Sequence, residues 1–304
     1  GGNNVAMGAN AMFTDTGALR NTAFGTSALY TTDSATDNTA VGYQGLLSNT
    51  TGAKNIAVGA YSLGGADDND NIAIGYYAIS AMSTGADNVA IGSRAFGGAS
   101  ACGYNVGVGF YALNTCANGL YNTAVGYYAM KTFMAAVSYN TAIGALALQT
   151  VTANYNTAIG YNAANAVATA NNTAVGASAL AAASGADSTA VGYTALTVNT
   201  GAQNTAVGSN ALVANTSGTP NTAVGYFALK TNVSSASNVA VGDNALSLTT
   251  SAGNTAVGSY ALASATGTGN TAIGYQAGYA GTAITTGTYN TFIGNISQSS
   301  DNSL

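Results

Sequence analysis

The chain has 304 residues, of which only 5% are charged, with a net charge of −5 and no His or Trp. That excludes an ordinary charged globule, for which about 25% charged residues is usual, and five cations are too few for a phosphate-binding surface of the nucleic-acid kind. Forty glycines with one proline exclude a collagen-like chain, and no apolar run approaches the ~18 residues of a membrane span.

The opening Gly1-Gly2-Asn3-Asn4 reads as the start of a fragment or processed product, not as a signal peptide. A string Asn-Thr-Ala-Val-Gly, or a near relative, then recurs to the far end of the chain. Its glycine falls at Gly8, Gly25, Gly42 and so on to Gly258, Gly274 and Gly294, eighteen copies spaced by 16–18 residues except the last, at 20. No window lacks the motif, so residues 1–304 read as one continuous array with an irregular tail over 295–304.

Each column of the repeat has a physical reading. Three residues before the glycine stands Thr, Val or Ile, and one before it an apolar residue, mostly Val or Ile. Two β-branched columns two residues apart share one face of a strand. That face is expected to point inward, with Leu or a substitute four residues after the glycine. The column between them is Ala in all copies but two, Gly107 and Phe292. The opposite face is then nearly bare, which marks Ala124, Ala142, Ala158 and Ala174 as a surface laid against another chain. A short strand, a glycine turn, a second short strand and a polar return loop make one coil. The repeat is too short for a helix pair and poor in long-chain helix formers. An all-β, parallel β-solenoid of about 18 coils is predicted, a rod of roughly 85 Å at the parallel-strand spacing.

Asn opens the motif in seventeen of eighteen copies, Ser188 being the exception. Stacked once per coil, amides such as Asn122, Asn140, Asn156 and Asn172 are expected to form a ladder, although Asn also suits a tight turn. Further along the chain, Asp67, Asp68 and Asp70 share a loop with Asp87 one coil on, a weak calcium candidate against a solvated acidic loop. Just before the motif Asn, the column reads Asp37, Lys54, Asp70, Asp87 and then Tyr104, Tyr121, Tyr139, Tyr155. Lys54 is expected between two carboxylates, and the four Tyr in a stack. Two residues after the glycine, Tyr77, Arg94, Tyr111 and Tyr128 make a flat aromatic stripe with one fixed cation, the best candidate for contact with a sugar ring or anionic glycan. Against it stand rings that merely cover the corner of the coil or pack on a neighbouring chain, and an Arg94 that points into water. Cys102 and Cys116 lie 14 residues apart, three short of register, and read as free or buried thiols in preference to a disulfide.

The string Asn-Thr-Ala-Val-Gly-x-x-Ala resembles the head repeat of trimeric autotransporter adhesins of the YadA type. Similar arrays with Tyr after the glycine occur in phage tail fibres, and Asn290-Thr-Phe-Ile-Gly294 with the tail after it resembles the stretch before their self-cleaving chaperone. The resemblance covers essentially the whole chain. It implies a left-handed β-roll, a homotrimer, and adhesion to a host surface or matrix, outside a bacterial cell or on a virion tail fibre. The longer repeat, the abundant Tyr and the lack of a stalk or anchor depart from the adhesin head.

The expected role is therefore a structural, adhesive fibre segment without enzymatic activity, cofactor, nucleic-acid partner or membrane insertion. With no His, neither a Ser/His/Asp nor a Cys/His nucleophile can be assembled, and there is no zinc set. Three alternatives belong to other classes. One is a single-chain solenoid polymerising end to end into an extracellular amyloid-like fibril. Another is an ice-binding Thr array, set aside because Thr shares the inward face with Val. The third is a polysaccharide-cleaving tailspike, short of carboxylates in a groove.

Overall fold

A repeat of this length leaves each coil only a strand, a turn and a return. The computed structural model describes residues 2–65, 67–81, 84–133, 136–182, 184–279 and 286–295. It is an all-β, parallel β-solenoid with no helix among the described residues. The chain divides into two units, Gly1–Tyr155 and Asn156–Leu304.

In the first unit nine repeat strands run from Val5–Met7 to Thr141–Ile143, each hydrogen-bonded in parallel to the next. Register is column on column: Thr123 pairs Thr141, Ala124 pairs Ala142, and Val125 pairs Ile143. The second unit repeats this from Thr157–Ile159 to Thr291–Ile293. Residues 296–304, most of the expected irregular tail, lie outside the described residues.

The strand is turned the other way from the sequence reading. Along the motif, burial alternates Asn in, Thr out, Ala in, Val out. Ala124, Ala142, Ala158 and Ala174 are fully buried inside their own coils, so they are not an oligomer face. The flanking Thr, Val and Ile are half-exposed or exposed in every repeat strand. The cause is the thinness of the coil. Its interior is filled from the turn side by Leu29, Leu46 and Leu113, each 0% exposed, and by their buried equivalents in other coils. Opposite them there is room for a methyl group and no more. A β-carbon added to Gly107 would lie 2.6 Å from Phe96 Cε2 and 3.3 Å from Leu113 Cδ1, which places the Ala column directly against the Leu column.

The two departures from Ala confirm this packing. Gly107 stands where its neighbour is Phe96 in place of Leu, and Phe292 stands against Gly278, where Leu is again missing. Large-for-small on one side is met by small-for-large on the other, conserving volume. Gly107→Ala alone is expected to cost ~1–3 kcal/mol by overpacking, and Phe96→Leu alone about 1 kcal/mol. The double variant restores the Leu–Ala pair of the other coils and should regain parental stability. Urea unfolding of the four proteins measures this coupling, and strictly additive effects would refute the contact.

After the glycine the expected second strand is mostly a turn. The second and fourth residues past it have positive φ in coil after coil, as in Tyr111 (57°) and Leu113 (52°), so the chain cannot stay extended. Leu in the left-handed region costs ~1–2 kcal/mol, offset by inter-coil bonds such as Leu29 N–H to Gly45 O (2.9 Å). Two-residue strands follow in a few coils, for example Thr14–Asp15 beside Thr31–Thr32.

The Asn ladder forms in both units. Asn122 Oδ1 accepts from the Asn140 amide (3.0 Å), and Asn156 Oδ1 from the Asn172 amide (3.0 Å). The side-chain NH2 closes its own coil, as in Asn122 to Val137 O (2.9 Å). At Ser188 the rung lengthens: its hydroxyl accepts the Asn204 amide at 3.4 Å. A second, shorter ladder of Asn199, Asn215 and Asn232 is also buried and was not read from the sequence.

Candidate functional site

The turn after each repeat glycine projects side chains outward in register, so like columns stack along the first unit. Tyr77, Arg94, Tyr111 and Tyr128 stack as expected. The Arg94 guanidinium lies 5.9 Å from the Tyr77 ring centroid and 5.5 Å from that of Tyr111. It also donates a hydrogen bond to the Tyr111 hydroxyl. Tyr111 and Tyr128 stack at 5.3 Å.

Two further members were missed. Tyr61 extends the stripe, stacked on Tyr77 at 4.6 Å, and its place in the same column was a signal that could have found it. Lys131 comes from five residues past its glycine and reaches over Tyr128 (4.4 Å) and Tyr111 (5.7 Å) on a flexible stem that spacing alone does not aim. A second aromatic column flanks the first. Tyr76 meets Tyr77 edge-on at 4.5 Å, and Tyr127 meets Tyr128 edge-on at 4.1 Å. Partial desolvation among these rings pushes the Tyr61 phenol up from its ordinary value, and the hydrogen bond with Tyr128 does the same to Tyr127.

Two of the five cations, Arg94 and Lys131, lie on this stripe. Among the described residues the ion pairs are Arg20–Asp37 (2.6 Å) and Lys54–Asp70 (4.0 Å), so Arg94 and Lys131 face rings and not carboxylates. Lys54 therefore pairs with Asp70, while Asp37 is taken in two bonds by Arg20, a partner in the same column. That hydrogen bonding holds the Asp37 carboxyl below the usual carboxylate range and raises the Arg20 guanidinium. The exposed pair is present at neutral pH and is lost as pH falls through the lowered Asp37 value.

Tyr104, Tyr121, Tyr139 and Tyr155 form the expected ladder, with successive rings 5.0, 5.2 and 5.2 Å apart and within 12° of parallel. The four carboxylates of the calcium candidate are not brought together. Asp67 accepts from the Thr50 amide and hydroxyl, Asp68 from the Gly85 amide, and Asp70 faces Lys54. Among the described residues no three metal-binding side chains converge, Asp87 included.

Contrary to the free or buried thiols expected from the spacing, Cys102 and Cys116 form a disulfide with Cα atoms 6.3 Å apart. Positions seven and ten past the glycine face each other across the return loop, as Asn215 Nδ2 bonding Gly218 O shows. The three-residue offset is therefore what brings the pair together. Among the described residues no helix is long and apolar enough to cross a membrane. No protein-family model matches the chain, and no curated protein matches it.

Proposed function

We propose that the protein is a structural, adhesive fibre segment that assembles with copies of itself through the outward face of its repeat strands. One observation carries this reading. The apolar residue before the repeat glycine is exposed in coil after coil, as in Ile91 (38%), Ile143 (41%) and Ile273 (46%), with Thr or another β-branched residue beside it. A ladder of exposed and half-exposed Val and Ile in each unit is more than scattered surface hydrophobes. Hiding each of them stabilises the assembly by on the order of 1 kcal/mol.

The occupant that fits is another copy, because its columns repeat at the same coil spacing and can meet this face level by level. The resemblance to trimeric adhesin heads supports three chains. The Cys102–Cys116 bond supports an oxidising, extracellular setting, on a bacterial surface or a virion fibre. The attachment target is a host-surface glycan or matrix.

Light scattering is expected to give about three times the 29.6 kDa chain mass. Val125→Glu with Ile143→Glu should lower the number of chains per particle while leaving the β-sheet circular dichroism intact. A parental mass of 29.6 kDa at every concentration would sink the reading. Mass that grows without limit would instead favour the end-to-end fibril.

A second reading is favoured by the outward Thr column. Thr173, Thr189, Thr205 and Thr222 are half-exposed beside Val, so the ground for setting aside an ice-binding array is gone. Thermal hysteresis of a monomeric parent protein would support it.

A further inference from the structure

The column five residues past the glycine runs beside the aromatic stripe and reads Ser80, Gly97, Asn114, Lys131. At Gly97, and at Gly98 after it, there is no side chain. A recess of about 470 Å³ opens there, lined by Tyr77, Ser80, Arg94, Gly97, Gly98, Tyr111 and Asn114. Its floor is tied down. Ser80 Oγ donates to Gly97 O (3.0 Å), Asn114 Nδ2 to Arg94 O (3.1 Å), and the Gly98 amide to Asn114 O (2.7 Å). Even a methyl group on Gly97 would lie 3.0 Å from Asn114 Nδ2. The volume falls within the usual range for a small-molecule site.

The lining specifies the ligand chemistry. Two phenol rings offer flat apolar walls, a hydroxyl and an amide offer short-range polar contacts, and a guanidinium without a carboxylate partner offers a planar fork for a carboxylate or sulfate. Lys131, two coils along, places a second cation on the same line.

The geometry points to this recess as a binding site for an acidic polysaccharide. One carboxylate- or sulfate-bearing sugar sits against Tyr77, Arg94 and Tyr111, and the next negative group meets Lys131. This rests on the reading of the protein as a surface-attaching segment, and it names what that segment attaches to.

Calorimetric titration of the full chain with three oligosaccharides of equal length tests it: a polyuronate, a sulfated glycan and a neutral glucan. Both acidic sugars, or one of them, should bind at least roughly tenfold more tightly than the neutral one, with affinity falling as salt rises. The tighter of the two identifies the anion. Arg94→Gln should cost roughly tenfold or more, Lys131→Gln less, and Lys230→Gln nothing. Gly97→Ser fills the recess while keeping both positive charges, its β-carbon meeting only the Arg94 backbone (3.2 Å from the carbonyl oxygen) and the Asn114 amide, and should also weaken binding.

Equal binding of neutral and acidic sugars, or parental affinity in Arg94→Gln, overturns the site. Parental affinity in Gly97→Ser reduces it to general charge attraction and overturns it equally. Light scattering on the same samples should give the parental mass for every variant, so a failed titration is distinguishable from failed assembly.

Discussion

Gly126→Ala is expected to destabilise the first unit by more than ~3 kcal/mol. The repeat glycines stack on one another with no space between coils. A β-carbon at Gly126 would lie 2.6 Å from both the carbonyl carbon and oxygen of Gly144 and 3.1 Å from Ala145 N. All three are backbone atoms, so no side chain can swing aside. The φ of 140° adds strain that an L-residue rarely tolerates. Coils can relieve the contact only by separating, which breaks the Asn122–Asn140 rung and the Thr123–Val125 pairing with Thr141–Ile143. Gly45→Ala is the matched control. An added β-carbon there meets nothing closer than 3.6 Å, and other copies carry Ala in that column. It should be neutral or stabilising by about 0.5–1 kcal/mol. Urea midpoints of the two variants check the contrast.

The period, the strand, the Asn ladder, the Tyr ladder and the Arg94 sandwich were all legible in the sequence, because each depends on register alone. Which face of the strand points inward was not. The habit of burying β-branched residues put Val and Thr inside, but that habit assumes a core wide enough to hold them. Here Leu from the turn already fills the coil, and only Ala fits opposite. The sequence did carry the signal in two places, Phe96 with Gly107 and Phe292 with Gly278, where opposite departures occur eleven and fourteen residues apart. The left-handed Leu column had no such signal, since Leu is not a residue that chooses positive φ; neighbouring coils impose it. Of the candidate site, the stripe was visible as a column. The recess was not, because it is made by the absence of a side chain at Gly97 and becomes a site only once the column beside it is known.

The orientation of the strand underlies both the core and the proposed assembly face, and two adjacent residues test it. Ala142 is fully buried and Ile143 is 41% exposed. Ala142→Gln forces a longer polar side chain against the Leu column and should cost ~3 kcal/mol or more, through overpacking plus a buried amide without partners. Ile143→Gln turns the same amide into solvent and should cost less than about 1 kcal/mol in the single chain. The measurement is the urea unfolding midpoint of each variant, at concentrations low enough to keep the chains apart. A large drop for Ala142→Gln and a small one for Ile143→Gln is the predicted result. The reverse order would put Val and Ile inside the coil and contradict the account.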